Sequence, residues 1–203
     1  MPRGKGRDMF LGGNTCRGFF SFYNYIIGVQ EAERIFILKG GPGVGKSTFM
    51  KKAAAKALEA GYDVENMHCS SDSDSLDGIV IPQLGIAMVD GTAPHVLDPK
   101  NPGVVDEIIN LGEFWDGRVL HRNKQTILDI KGEISQYYAR AYRHLAAASY
   151  IYDDNIALYA SALDEAKVNI AIAEWINEMF DLRGPAAKLG KHRHLFASAI
   201  TPD

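Results

Sequence analysis

The chain has 203 residues, a formal net charge of -3 and 46% hydrophobic residues. This composition is that of a folded globular protein and excludes a disordered or fibrous chain. The length excludes two independent full-size domains, and the slight acidity excludes a global basic field, so nucleic acid is not indicated as a partner.

Cysteine content and hydropathy indicate the compartment. The two cysteines, Cys16 and Cys69, are too few for a disulfide framework and suit a reducing cytosol as free thiols. No apolar run reaches the roughly 18 residues of a membrane span, and the first ten residues lack the apolar centre of a signal peptide. We therefore expect a cytoplasmic protein with no membrane partner.

The first part of the chain alternates strand-like and helix-like segments. Arg34–Lys39 reads RIFILK and predicts a buried strand, and Lys46–Ala60 is rich in helix formers and predicts a helix. Residues 62–69 predict a second strand, residues 70–78 (SSDSDSLDG) a polar loop, and residues 85–89 (GIAMV) a third strand ending at Asp90. A long loop over 91–103 and a short helix over 104–111 follow. Such alternation is typical of an α/β fold with a mainly parallel sheet.

Residues 118–183 differ in character. They hold no proline before Arg183 and one internal glycine, Gly132, and their apolar residues recur at spacings of three and four. We expect a long antiparallel helical hairpin with its turn at Asp153, Asp154 and Asn155. It either projects as an arm or covers the sheet. The expected organisation is thus an α/β core over 1–117, the hairpin over 118–183 and a return segment over 184–203.

A phosphate-binding motif lies between the first predicted strand and helix. It matches G-x-x-x-x-G-K-[ST], the P-loop, and consists of Gly40, Gly41, Pro42, Gly43, Val44, Gly45, Lys46 and Ser47, followed by Thr48. Glycines let the backbone curl so that N–H groups point at a phosphate, Lys46 reaches the β- and γ-phosphates, and the Ser47 hydroxyl is a ligand for Mg²⁺. We expect Thr48 to contact phosphate. The motif in this context predicts a three-layer P-loop NTPase sandwich that binds ATP and Mg²⁺.

A second magnesium-holding acid is expected at the end of a neighbouring strand. Asp90 fits this role, although an aspartate before Gly91 also suits a plain turn. Many hydrolytic P-loop proteins carry a glutamate directly after this aspartate, whereas Gly91 stands here. Hydrolysis therefore lacks its most obvious base.

The acidic segment after the second predicted strand offers other catalytic candidates. Asp72 and Asp74 would lie at the carboxyl ends of the strands, where open α/β sheets bind ligands, and would orient water or an acceptor hydroxyl. His95 is a further candidate for contact with the γ-phosphate. A solvated loop without catalytic role is the alternative for all three.

Several segments together resemble a known family. RDMFLGGNT, GFFSFYNYI, FILKGGPGVGKSTFMKK, HCSSDSDSLDG and DGTAPHVLDPKNPGVVDEIINLG occur in that order. They resemble bacterial P-loop ATPases, common in spore-forming Firmicutes, in which two P-loop half-domains occur in tandem. The resemblance implies ATP binding at 40–48. It also implies that HLFASAITPD, which can be aligned with DMFLGGNTCR, begins a second half.

Three functions follow as expectations. The first is an ATPase whose hydrolysis moves the hairpin or a partner, and the second is a small-molecule or nucleotide kinase. The third is a non-catalytic module in which ATP acts as a switch. In the first two, Lys46 stabilises the transferred phosphoryl group, and Ser47 and Asp90 hold Mg²⁺. The expected macromolecular partner is a second P-loop half or a second copy of the chain.

Overall fold

The computed structural model describes residues 2–94, 96–181, 193–197 and 199. His95 and most of the segment 184–203 lie outside the described residues. The elements are β1 (Gly6–Phe10), β2 (Gly12–Thr15), β3 (Gly18–Ser21), β4 (Arg34–Lys39), α1 (Lys46–Glu59), β5 (Val64–Cys69), β6 (Asp72–Ile81), β7 (Ile86–Asp90), β8 (Asp106–Asn110), α2 (Gly117–Arg122), α3 (Lys124–Ser161) and α4 (Glu165–Asp181).

A six-stranded sheet forms the centre of the fold, with strand order β1-β5-β6-β7-β4-β8. β4 runs parallel to both of its neighbours, β7 and β8, and β1 runs parallel to β5. Among the described strands of this sheet, β6 alone runs opposite to the other five, and it pairs antiparallel with both β5 and β7. The expectation of an α/β fold with a mainly parallel sheet is confirmed.

The two faces of the sheet are covered differently. α1 packs Met50, Ala54 and Ala57 against one face, where they join buried side chains of β4, β5 and β6. The opposite face is covered by residues from the N-terminal segment, including Leu11 and Tyr23, and by no α-helix of the described residues. The expected three-layer sandwich is therefore not the described arrangement, because the chain before β4 supplies a hairpin and a short 3-10 turn there.

The strongest local signals predicted their elements correctly. β4 spans the predicted residues 34–39, and its Ile37 and Leu38 are buried on opposite faces of the sheet. α1 begins at Lys46 as predicted and ends one residue early, with Gly61 just beyond it at a φ of 91°. A glycine at this position takes the left-handed conformation that ends a helix without steric cost.

The prediction of a polar loop over 70–78 is wrong for most of its length. β6 begins at Asp72 and pairs with β5 after a two-residue turn. The Ser and Asp residues of this segment have low strand propensity, but the open edges of β5 and β7 supply backbone partners on both sides. Tertiary pairing thus overrides local preference.

The predicted short helix over 104–111 is also wrong, because Asp106–Asn110 form strand β8. β8 pairs along the free edge of β4, with Ile108 opposite Ile37 and Ile109 opposite Leu38. The buried carboxylate of Asp106 accepts the backbone N–H groups of Lys100 and Asn101 at 2.7 and 2.6 Å. These bonds fix the preceding loop so that the chain enters the sheet at this point.

The helical region differs from the predicted hairpin. α3 continues through 153–155, and the helix breaks at 162–164 instead. Asp and Asn cost only a few tenths of a kcal/mol in a helix interior, about 0.7 at most, so they do not end one. Asp164 starts α4, since its carboxylate accepts the Lys167 N–H at 3.1 Å. No residue of α3 is buried, so close antiparallel packing of the two helices is not described.

The short described part of the return segment lies against the start of the chain. Phe196 forms an antiparallel bridge with Phe10, and Arg193 forms two hydrogen bonds with the buried Glu65 of β5, at 2.9 and 2.7 Å. That this segment begins a second half stays a prediction. None of the helices over the described residues is both long and apolar enough to cross a membrane.

Replacing Arg193 by alanine tests the contribution of this contact to stability. The change leaves the buried Glu65 carboxylate without its bidentate partner, so we expect the free energy of unfolding to fall by about 2 kcal/mol. Urea denaturation measures this loss. Arg118→Ala is the matched control, because the Arg118 side chain is 94% exposed and should change stability little. Equal losses in both variants would contradict the structural role of Arg193.

Candidate phosphate-binding site

The loop between β4 and α1 contains three glycines in backbone conformations that other residues rarely adopt. Gly40, Gly43 and Gly45 adopt φ angles of 148°, 80° and 97°, in the region that favours glycine. A Cβ atom at Gly43 or Gly45 would have no neighbour within 4 Å. These positions therefore favour glycine because of their positive φ angles and not because of steric crowding. Gly45 caps the 14-residue α1 without a side-chain hydrogen bond. The first N–H groups of α1 thus lack a side-chain cap, and a helix end of this kind can bind an anion.

Lys46 is buried at the first position of α1. Its Nζ donates to the carbonyl oxygens of Gly40 at 2.5 Å and Gly41 at 3.0 Å, which closes the loop over the ammonium group. The same Nζ lies 3.4 Å from the Asp90 carboxylate, and the two side chains are only 10% and 12% exposed. The structure therefore brings together the predicted phosphate-binding lysine and the predicted magnesium-holding acid.

Asp90 reaches this position because β7 lies directly beside β4. Leu38 and Asp90 are partners in the parallel register, so both strands end at the same edge as the loop. One carboxylate oxygen faces Lys46, and the other accepts the backbone N–H of Thr92 at 2.9 Å and the Thr92 hydroxyl. These bonds orient the carboxylate, as a metal-holding acid requires.

Ser47 follows Lys46 on the same helical turn. Its Oγ accepts the backbone N–H of Leu76 in β6 at 2.9 Å, which ties the loop to the strand beyond β7. Thr48 is exposed. The hydroxyl of Ser47 and the carboxylate of Asp90 are hard oxygen donors of the kind that Mg²⁺ prefers. Within the described ranges no cluster of three or more His, Cys, Asp or Glu side chains could hold a metal alone.

The position after Asp90 has no room for a side chain. A Cβ atom on Gly91 would lie 2.4 Å from Ile37 Cγ2 and 2.9 Å from the Leu97 carbonyl oxygen. Lys39 holds this segment, since its Nζ donates to the Gly91 and Leu97 carbonyls at 2.8 and 2.7 Å. A glutamate beside Asp90 is therefore excluded by packing. No local pattern singles out Lys39, because its partners lie more than fifty residues away in the chain.

The two acidic candidates of the expected loop lie on a strand. Asp72 and Asp74 are both exposed on β6, and no contact of either carboxylate with Lys46 or Ser47 is described. The acid that β6 buries is Asp77, which accepts the Tyr23 hydroxyl at 2.6 Å. Burial and the Asp77 carboxylate raise the pKa of Tyr23 well above its usual range. Sequence reasoning missed this pair, because its members come from distant parts of the chain.

Cys69 lies beside the same buried carboxylate, at the end of β5. Burial, and to a lesser extent the negative charge of Asp77, raises the pKa of the Cys69 thiol to about 11. A thiol of this kind is held in its unreactive form at neutral pH.

Trp115 contacts the loop from the side opposite β7. It follows β8, which flanks β4 on that side, and a Cβ atom on Gly41 would lie 2.6 Å from the Cη2 atom of the indole. Trp115 was not among the site residues predicted from the sequence, because residues 114–117 match no binding motif.

Comparisons of the chain with protein-family models, with curated proteins and with solved structures found no match.

The two cysteines should differ sharply in reactivity. Cys16 is exposed, whereas at pH 8 a thiol of pKa about 11 is only ~0.1% thiolate. We expect Ellman's reagent to modify Cys16 at least about 100-fold faster than Cys69, and the Cys69 rate to rise as the pH approaches 11. Cys16→Ser isolates the slow thiol, and denaturant should remove the difference. Equal rates in the folded protein would contradict the described environment of Cys69.

Proposed function

We propose that the chain binds Mg-ATP at residues 40–48 and hydrolyses it, with the hydrolysis coupled to a conformational change. The observation that carries the proposal is the 3.4 Å approach of Lys46 Nζ to Asp90, at the mouth of a glycine loop with three left-handed residues. Phosphoryl transfer requires two charged groups from the protein. One is a cation that faces the terminal phosphates, and the other is a carboxylate that holds the metal.

The contacts of these residues support a role for each of them. The N–H groups of the loop and of the first turn of α1 bind the phosphate oxygens, and Lys46 neutralises charge that develops on the transferred phosphoryl group. Ser47 and Asp90 would hold Mg²⁺, and the metal would supply positive charge that neutralises the phosphates. Phosphate oxygens replace Asp90 as the anionic partner of Lys46, which frees the carboxylate for the metal.

A route for the conformational change starts at the same residues. Ser47 holds Leu76 of β6, and the turn before β6 is held by Asn14, whose amide donates to the Ser70 carbonyl at 2.9 Å. The Tyr142 hydroxyl of α3 donates to the Asn14 side chain at 3.1 Å. A shift of Ser47 on binding metal would therefore act on β6 and, through Asn14, on the long helix.

Phosphoryl transfer to a small molecule or nucleotide is the second candidate. Gly91 favours it, because packing forbids there the glutamate that commonly activates water. An acceptor that brings its own hydroxyl needs no such water, and the exposed Asp72 or Asp74 would be its base. A non-catalytic ATP switch is the third candidate. For each, a second P-loop half or a second copy of the chain is the proposed partner.

Phosphate release from Mg-ATP tests the proposal. We expect steady release by the unmodified chain and a loss of about 100-fold or more in Lys46→Ala, because the variant lacks the cation that stabilises the transferring group. Lys52→Ala is the matched control, since Lys52 lies exposed on the same helix and should keep full activity.

The outcomes separate the three candidates. ADP that forms only after an acceptor is added would indicate a kinase, and tight ATP binding without turnover in any mixture would indicate a switch. Turnover that is unchanged in Lys46→Ala would contradict the phosphate-binding assignment itself.

A further inference from the structure

Two exposed aromatic side chains, Phe114 and Trp115, follow β8 at the sheet edge that carries the phosphate-binding loop. Exposed apolar surface often marks a binding site, and this partly exposed indole lies against the candidate phosphate-binding loop. Its position therefore calls for a functional account.

Trp115 is fixed directly on the loop. The edge of its six-membered ring occupies the space where Gly41 would carry a side chain, with Cη2 and Cζ3 at 2.6 and 3.0 Å from a Cβ placed there. The backbone of the same turn packs on Gly40, because a Cβ on Gly40 would lie 3.2 Å from the Gly112 nitrogen. The Asn110 side chain accepts that Gly112 N–H at 3.1 Å. The indole is thus positioned by contacts with the loop itself.

The strand order separates the two flanks of the loop. β7 and β8 lie on opposite sides of β4, with Asp90 at the end of β7 and Trp115 just after β8. In the proposed function, Asp90 and Ser47 draw the metal and the terminal phosphates toward the β7 flank. A nucleoside at the other end of the ligand would then lie nearer the β8 flank, where the indole is 36% exposed.

We propose that Trp115 is the stacking platform for the base of a bound nucleoside triphosphate. This inference rests on the proposed function, since the phosphate loop has to anchor the ligand. Stacking on an indole is favourable for any base because every base has a π-face. Trp115 therefore adds affinity for the nucleoside part, for ATP and GTP alike, and adds none for the phosphate chain.

Binding of two ligands that share their phosphates tests this assignment. We expect Trp115→Ala to weaken Mg-ATP about 10-fold, as loss of one stacked base predicts, and to leave Mg-tripolyphosphate unchanged. Trp115→Phe keeps an aromatic ring and should lose less. Phe114→Ala is the matched control, because it removes the neighbouring aromatic ring and should bind both ligands normally. Titration calorimetry measures the dissociation constants, and circular dichroism checks that each variant is folded.

Fluorescence gives a second readout that does not need the alanine variant. Trp175, on α4, is the other tryptophan of the chain, so Trp175→Phe leaves Trp115 as the sole indole. Saturating ATP should quench its emission more strongly than saturating tripolyphosphate does. The emission of Trp175 in Trp115→Phe is the control, and it should not distinguish ATP from tripolyphosphate.

The outcomes distinguish a failure of the inference from a failure of the proposed function. Two results in Trp115→Ala would overturn the stacking role and leave the phosphate site in place. One is that the binding of ATP and the binding of tripolyphosphate weaken equally, and the other is that ATP binding does not change. The same holds if bound ATP leaves the emission of the sole Trp115 unchanged. If the unmodified chain binds neither ligand, both the proposed function and this inference are wrong.

Discussion

The pairing of Lys46 with Asp90 is the interaction on which the rest of the site depends. A buried ammonium or carboxylate group is costly unless it has a partner, and each of these groups is the other's charged neighbour at 3.4 Å. The pairing exists only because β7 lies beside β4 in parallel register, so that both strands end at the same edge. The Lys46 ammonium also binds the Gly40 and Gly41 carbonyls and so shapes the loop it belongs to.

Hydrogen bonds of Asp90 and of residues near the pair join the segments that surround the loop. Thr92 ties the Asp90 carboxylate to the chain after β7, and Lys39 ties that same chain back to the end of β4. Ser47 ties the start of α1 to β6 through Leu76. The β8 flank is joined by packing, through Trp115 on Gly41. A ligand that changes the partner of Lys46 would therefore act on Asp90 and, through Thr92, on the chain after β7.

The sequence was sufficient where the signal was local. The β4 run, the glycine loop, the start of α1 and the end of β7 at Asp90 were all predicted, because each depends on neighbouring residues alone. It was insufficient where partners lie far apart in the chain. β6 and β8 form strands because their backbone groups pair with neighbouring strands of the sheet. This pairing outweighs the low strand propensity of their polar residues. The Tyr23–Asp77 bond and the Trp115 contact likewise join distant segments, which no local pattern reveals.

The most direct test of the account is the magnesium dependence of ATP binding in Asp90→Asn. Asparagine keeps the shape of the side chain but removes the charge that, in the proposed function, would hold the metal. We predict that Mg²⁺ strengthens ATP binding to the unmodified chain, and that this gain disappears in the variant while metal-free ATP binds at least as tightly as before. Titration calorimetry with and without Mg²⁺ measures both quantities. An equal magnesium gain in the two proteins would contradict the assignment of Asp90, and with it the central claim.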